Sequence, residues 1–163
     1  MNIAIISDIH DNKVNLNKCL AWCENNNIEE LICCGDVTNI DTVDKMAKGF
    51  SGTIHLVNGN VNLYKEKDIN KYANINNYGR LGCFKVDKYY IGLCHEPFLI
   101  EEVKKRGRCD YIFYGHTHRP WIEEKNKINM VNPGALGGML ERSTFVYWDT
   151  TKNKIELKIL DRL

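Results

Sequence analysis

Aspartate, asparagine and histidine residues recur in this sequence directly after short apolar runs. Seven residues form the pattern: Asp8, His10, Asp36, Asn60, His95, His116 and His118. Four of the five histidines belong to it, and only His55, inside an apolar run, lies elsewhere. Carboxylate, imidazole and amide-oxygen ligands together suit divalent metals such as Mn, Fe, Co, Ni or Zn. We interpret the pattern as a metal site.

In two parts of this pattern the spacing would place both side chains on the same face of the chain. Asp8 and His10 are two residues apart, so both side chains would point to one face of an extended segment, as would His116 and His118. Each motif alone has an ordinary alternative: Asp8 as a helix cap, Gly-Asp or Gly-Asn as a turn, and the histidines as a surface pair. The complete set, in order and at strand ends, favours metal binding over these alternatives.

The elements that must position these residues have an α/β order. Strands at 2–7, 30–34 and 53–58 alternate with helices at 12–26 and 41–49, which predicts parallel strands with right-handed crossovers. Further helices are predicted at 63–72 and 97–106. The later strands are predicted at 81–86, 89–94, 110–114, 120–124, 127–131, 143–149 and 154–160, with hairpin turns at Asp87-Lys88 and Lys125-Asn126. The result is a two-sheet α/β sandwich forming one domain over 1–163, with its site at strand carboxyl ends.

In the first helix we expect Asn12 to be the N-cap. The expected inner positions are Val14, Leu16, Leu20 and Cys23.

Composition limits the class of protein. The 163 residues carry a formal charge of +1, with 44% hydrophobic and 26% charged residues, as in an ordinary globular domain. No apolar run approaches the ~20 residues of a membrane span, and no basic stripe indicates nucleic-acid binding. The start of the chain does not look like a signal peptide. Seven cysteines without a CxxC pair indicate reduced thiols in a cytoplasmic protein, with a zinc site at Cys19 and Cys23 as a minor alternative.

The motifs resemble those of a known family. Asp8-x-His10, Gly35-Asp36, Gly59-Asn60, the strand-end His95 and Gly115-His116-x-His118 are similar to the signature of the calcineurin-like metallophosphoesterases. The short length and the Asn132-Pro-Gly motif resemble its small bacterial and archaeal phosphodiesterase subgroup, to which a retromer subunit of the same fold belongs. The resemblance covers essentially the whole chain.

This resemblance implies a role for each residue of the pattern. Asp8, His10 and His118 would hold one metal, Asn60, His95 and His116 the other, and Asp36 would bridge them. Two ions roughly 3.5–4 Å apart can share a water and supply hydroxide, which attacks the phosphate ester. Asp36 and His95 would thus act in catalysis through the metal-bound hydroxide, and Asn60 and Arg142 would contact substrate.

The implied protein is a binuclear phosphodiesterase acting on a small phosphate ester. We expect manganese first, with Ni, Fe, Co or Zn as alternatives, and a homodimer or homotetramer is plausible. A non-catalytic metal-binding scaffold of the same fold and a phosphomonoesterase remain as alternatives.

Two positions depart from the family pattern. Val61 replaces a histidine that in many relatives protonates the leaving group, so we expect activated or strained esters to be the better substrates. Glu96-Pro97 follows His95 where relatives carry glycine. We expect Glu96 to face solvent or to cap the helix from Pro97. Alternatively it lies at the rim of the site, where with Asp11 it would repel a dianionic monoester.

Overall fold

The structure is a computed structural model that describes residues 1–139 and 141–163. Leu140, part of the predicted loop at 132–142, lies outside them. Two mixed β-sheets face each other, with helices on their outer sides, as the sequence predicted. Within the described residues, no helix is both long enough and apolar enough to cross a bilayer.

The first sheet has six strands in the order β11-β10-β1-β2-β3-β4. They span Asn2–Ile6 (β1), Glu30–Cys33 (β2), Thr53–Leu56 (β3), Ile75–Asn77 (β4), Thr144–Asp149 (β10) and Lys154–Ile159 (β11). β1 to β4 run parallel, and β10 and β11 are each antiparallel to their neighbours. The parallel order of the first three strands confirms the prediction.

The second sheet has five strands in the order β5-β6-β7-β9-β8. They span Leu81–Val86 (β5), Tyr89–Cys94 (β6), Tyr111–Phe113 (β7), Trp121–Lys125 (β8) and Ile128–Asn132 (β9). β6, β7 and β9 are parallel, and the two hairpins are antiparallel. The turn at Asp87-Lys88 is as predicted, whereas the other turn lies one residue later, at Asn126-Lys127.

The helices cover the outer faces. They span Lys13–Asn25 (α1), Ile40–Gly49 (α2), Glu66–Ile69 (α3) and Ile100–Arg106 (α4), the last preceded by a 3₁₀ turn at Pro97–Leu99. Asn12 caps α1 as expected, because its side-chain oxygen accepts a bond from the Asn15 N–H at 3.1 Å. The predicted inner position Val14 is wrong: it is exposed, and Cys19 takes its place. The buried stripe Leu16, Cys19, Leu20 and Cys23 has helical spacing, and Val14 lies off it.

Three apolar layers hold these elements together. Alternate residues of β1 serve two of them: Ile3 and Ile5 enter the core between the sheets, and Ala4 and Ile6 enter the core beneath α1 and α2. A third cluster fills the space between the second sheet and α4. Cys19 and Cys23 lie fully buried in the core beneath α1, among apolar side chains. The strand ends that carry the polar motifs are therefore fixed from both sides.

Candidate metal centre

Five strands of the two sheets deliver the polar residues to one end of the sandwich. Asp8, Asp36 and Asn60 follow β1, β2 and β3, while His95 and His116 follow β6 and β7. Because β1 to β3 are mutually parallel, as are β6 and β7, each sheet presents its residues at a single edge. The structure thus brings all seven residues of the pattern together.

The backbone at these residues is left-handed, not extended. Positive φ angles occur at Asp8 (52°), His10 (46°), Asp36 (52°), His116 (69°) and His118 (59°). The expectation that Asp8-x-His10 and His116-x-His118 are extended is therefore wrong, although each pair still faces the site. Backbone bonds hold the turns: the Asp8 N–H donates to the Gly35 carbonyl at 3.1 Å, and the His10 N–H donates to the Asp36 carbonyl at 3.1 Å.

The first ligand group contains Asp8, His10 and His118. His118 Nε2 lies 3.2 Å and His10 Nε2 3.7 Å from Asp8 Oδ1, and the two imidazole nitrogens are 3.3 Å apart. Asp8 is fully buried, and its Oδ1 has no hydrogen-bond partner among the described residues. A buried carboxylate oxygen without a hydrogen-bond partner lowers the stability of the fold. A divalent cation at the meeting point of the three side chains would satisfy it, so the residues present fit a metal ion.

The second group contains Asp36, Asn60, His95 and His116. Asn60 Oδ1 is 3.0 Å from both His95 Nε2 and His116 Nδ1, and Asp36 Oδ2 is 3.2 Å from His95 Nε2. Asp36 Oδ2 also lies 3.8 Å from His10 Nε2, in the first group. One carboxylate oxygen therefore stands between the two groups.

Neighbouring backbone groups orient these side chains. His95 Nδ1 is 2.8 Å from the Cys34 carbonyl, which can only accept, so Nδ1 carries the proton and Nε2 is left to face the site. The Val61 N–H donates to Asp36 Oδ1 at 2.9 Å, and the His116 N–H donates to Asp8 Oδ2 at 3.1 Å. Each carboxylate is thus fixed through one oxygen and presents the other.

The carboxylates and imidazoles shift one another's proton affinities. Burial alone would lower the pKa of His95, but the nearby Asp36 and Asp8 carboxylates raise it above its ordinary value. The nearby Asp8 carboxylate raises the pKa of His10 against the opposing effect of burial. Burial would raise the pKa of Asp36, yet His95 holds it below its usual range. The Asp36 carboxylate is therefore ionised and contributes negative charge that attracts cations.

Comparison with known proteins agrees with this geometry. Residues 1–153 match the model of the calcineurin-like phosphoesterase superfamily domain. Phosphodiesterase MJ0936 of Methanocaldococcus jannaschii is 30% identical over 99% of this chain and 100% of its own length. The chain belongs to the calcineurin-like phosphoesterase superfamily. It is thus a phosphoesterase-family protein, and the family uses divalent metals.

Solved structures share the fold. An archaeal phosphodiesterase superposes with a TM-score of 0.88 at 24% identity, covering 98% of this chain and 99% of its own. The vacuolar sorting protein Vps29 of Cryptosporidium parvum superposes with a TM-score of 0.70 at 19% identity, covering 97% and 95%. The fold is therefore that of the small calcineurin-like proteins.

Glu96 does not behave as the sequence suggested. Its side chain is buried, not exposed to solvent, and makes no capping bond to the following turn. Its Oε1 instead accepts a bond from Arg80 Nη2 at 2.8 Å. The sequence contains no local signal for this pair, because its members lie 16 residues apart, just outside the paired strands β5 and β6. The Glu96 carboxylate thus forms an ion pair with the Arg80 guanidinium.

Asp11 is also occupied, at the start of α2. Its carboxylate accepts bonds from the Asn39 backbone N–H at 3.1 Å, from the Asn39 side chain, and from Thr42 Oγ1 at 2.6 Å. It therefore serves as the N-terminal cap of α2 in place of Asn39, whose own side chain makes no capping bond. The expectation that Asp11 and Glu96 together repel monoesters has no structural support.

The Asn132-Pro-Gly loop connects the two halves of this calcineurin-like centre. Asn132 Nδ2 donates to the Gly115 carbonyl at 2.8 Å, beside the His116 motif. Further along, the Gly137 N–H donates to the Asp8 carbonyl at 2.9 Å. Arg142, after this loop, is exposed, and the described contacts do not bring its guanidinium to either ligand group. Its contact with substrate stays a prediction.

Proposed function

We propose that this protein is a binuclear metal-dependent phosphodiesterase. The observation that carries the proposal is the position of Asp36, whose Oδ2 lies within 3.2 Å of His95 Nε2 and 3.8 Å of His10 Nε2. A carboxylate between two ligand groups is the arrangement that a pair of adjacent cations requires. The likeness to a relative named as a phosphodiesterase supports the diester as the substrate class.

Each group would hold one ion. Asp8, His10 and His118 would bind the first, Asn60, His95 and His116 the second, and Asp36 would bridge them. Two bound divalent ions would supply an activated water near neutral pH and offset negative charge on the phosphoryl oxygens. Mixed oxygen and nitrogen ligands accept Mn, Ni, Fe, Co or Zn. Of these ions we propose Mn, with the other four as alternatives.

The protein's own residues then set the limits of the chemistry. Asp8 and Asp36 contribute two negative charges, so the loaded site stays cationic and attracts a phosphate anion. Asn60, in the second group, would also face the bound phosphate. Val61, next to it, offers no side-chain proton to a leaving group. We therefore expect activated or strained diesters to be the better substrates, because general-acid help worth ~10²–10⁴-fold is missing.

The test uses metal-free protein reloaded singly with Mn²⁺, Ni²⁺ or Zn²⁺. Hydrolysis of an aryl phosphodiester is compared with that of the matching monoester, with bound metal counted per chain. Metal-dependent diester hydrolysis is the expected result. Two bound ions with no turnover of either ester would instead support a non-catalytic scaffold, and faster monoester turnover would support a phosphomonoesterase.

Two wider expectations remain part of the proposal. All seven cysteines are unpaired and six are buried, which suits a reducing, cytoplasmic setting. The substrate would be a small phosphate ester, and neither a membrane nor specific nucleic-acid binding is invoked. Sedimentation of the purified protein would test whether it forms a homodimer or homotetramer.

A further inference from the structure

Exposed apolar side chains lie on chain segments that adjoin residues of the candidate metal centre. Among the described residues, ten large apolar side chains are exposed. Four of them lie on segments that leave the ligand groups: Val61, Leu63, Phe98 and Met139. We name these four the apolar rim. Apolar groups placed in water beside a charged site are the unusual feature here, because each could have been polar without affecting the core.

Val61 and Leu63 are tied to the segment that carries Asp36. The Val61 N–H donates to Asp36 Oδ1 at 2.9 Å, and the Leu63 N–H donates to the Thr38 carbonyl at 2.9 Å. The chain from 61 to 63 therefore runs alongside 36 to 38. Their side chains nevertheless remain 39% and 73% exposed. The 61–63 segment thus holds two exposed apolar side chains beside the segment that carries Asp36.

Phe98 and Met139 lie on two other segments that adjoin ligand residues. Phe98 lies three residues after His95, in the turn Pro97–Leu99, and is 72% exposed. Leu99 in the same turn is buried and anchors it. Met139 is 64% exposed and follows Gly137, whose N–H donates to the Asp8 carbonyl at 2.9 Å. The backbone that carries each side chain is therefore linked to a ligand segment.

The two acidic side chains that directly follow His10 and His95 are engaged by other residues. Glu96 is matched by Arg80, and the Asp11 carboxylate caps α2. A phosphodiester held at the metal centre carries two ester groups, one of which stays on the phosphorus when the other leaves. Because every segment of the rim adjoins a ligand segment, the organic part of the substrate is the occupant that we assign to it.

We propose that the apolar rim binds an uncharged apolar or aromatic ester substituent, so that the substrate class is a phosphodiester bearing at least one such group. This proposal rests on the phosphodiesterase function proposed above. It differs from the effect of the missing general acid, because it concerns the ester group that is retained and not the one that leaves.

The experiment compares two diesters with the same leaving group, methyl para-nitrophenyl phosphate and benzyl para-nitrophenyl phosphate, using the metal-loaded protein. Since the leaving group is constant, a difference in kcat/KM reports contacts with the retained group. Partial burial of the benzyl ring should raise kcat/KM on the order of tenfold. Equal values for the two diesters would overturn the proposal and assign the rim to another occupant, such as a second copy of the chain.

A double variant, Leu63→Ser with Phe98→Ser, tests the residues themselves. The benzyl-to-methyl ratio should fall toward one, whereas a general loss of folding or metal would lower both rates and leave the ratio unchanged. Leu163→Ser, at the other end of the chain and also exposed, is the matched control and should keep the wild-type ratio. A ratio that survives in the double variant contradicts the proposal.

A binding measurement separates this proposal from the proposed function. Diphenylphosphinate and dimethylphosphinate are stable monoanions that resemble a diester, and calorimetry gives their Kd values for the loaded protein. We expect diphenylphosphinate to bind more tightly on the order of tenfold. Tighter binding of diphenylphosphinate without hydrolysis of any diester would refute the phosphodiesterase function and support the role of the rim. Hydrolysis of diesters with equal Kd values would support the phosphodiesterase function and refute the role of the rim.

Discussion

Replacing Gly59 by alanine should disrupt the centre without touching a ligand. An added Cβ would lie 2.5 Å from the Asp36 backbone nitrogen and closer still to its Oδ1. Ordinary contact begins at 3.4 Å, so the two segments must separate by about 0.9 Å. Metal–ligand distances tolerate only about ±0.2 Å. A displacement several times larger should remove Asp36 from its position between the two groups.

The expected losses follow from this displacement. Overpacking of this kind costs about 1–3 kcal/mol, or a fall in Tm of roughly 2–12 °C for a chain of this size. Misplacement by about 1 Å should lower diester turnover about 10²-fold. Thermal melts and kinetics measure these two losses, and metal counts measure the effect of displacing Asp36.

Gly107→Ala is the matched control, because nothing lies within 4 Å of its added Cβ and its backbone is extended. That variant should melt no lower than the wild type. Wild-type metal affinity and turnover in Gly59→Ala would refute the assignment of Asp36 as the bridging residue.

Three further predictions test other parts of the site. Asp36→Asn should abolish metal-dependent diester hydrolysis and reduce bound metal below two ions per chain, whereas Asp161→Asn, on the exposed C-terminal turn, should leave both unchanged. Removal of metal by a chelator should lower Tm, and metal restored at about 100 times its Kd should recover roughly 2.7 kcal/mol of stability; identical melts with and without metal would contradict a site in the folded state. Asp11→Ala should lower the free energy of unfolding by urea by about 1 kcal/mol or more through the lost cap of α2. The diester-to-monoester ratio should stay constant in that variant, and a clear fall would restore the idea that Asp11 repels monoesters.

The meeting of the candidate ligands at one end of the sandwich could be predicted because it depends on the order of the strands. Polar motifs after apolar runs reach one edge whenever the strands are parallel, and the alternation of strands and helices indicated parallel strands. The sequence does not predict β4 at Ile75–Asn77, because two of its three residues are asparagines and the strand lies at the edge of the sheet. The helix predicted at 63–72 is only Glu66–Ile69, since Leu63 bonds to the Thr38 carbonyl outside any helix.

Contacts between distant residues could not be predicted. Asp11 bonds to the start of α2, 28 residues later, and the sequence near Asp11 contains no trace of that partner. Glu96 and Arg80 meet only because β5 and β6 form a hairpin whose ends stand side by side. Local pattern gives the residue types that a site needs, whereas the neutralisation of its surrounding charges depends on the tertiary structure.

The left-handed backbone and the residue types of the candidate site are linked. Asp, Asn and His tolerate positive φ better than other residues with side chains, and they are also the residues that bind divalent metals. The same residue combines a positive φ with a metal-binding side chain at five positions: Asp8, His10, Asp36, His116 and His118. Each such conformation costs energy on the order of 1–2 kcal/mol and persists only where the surrounding bonds hold it. Alanine at these positions would therefore remove a ligand and keep the strain. Loss of metal and loss of stability should for this reason occur together in alanine variants, and their separation requires Asp→Asn changes, which keep the tolerant backbone.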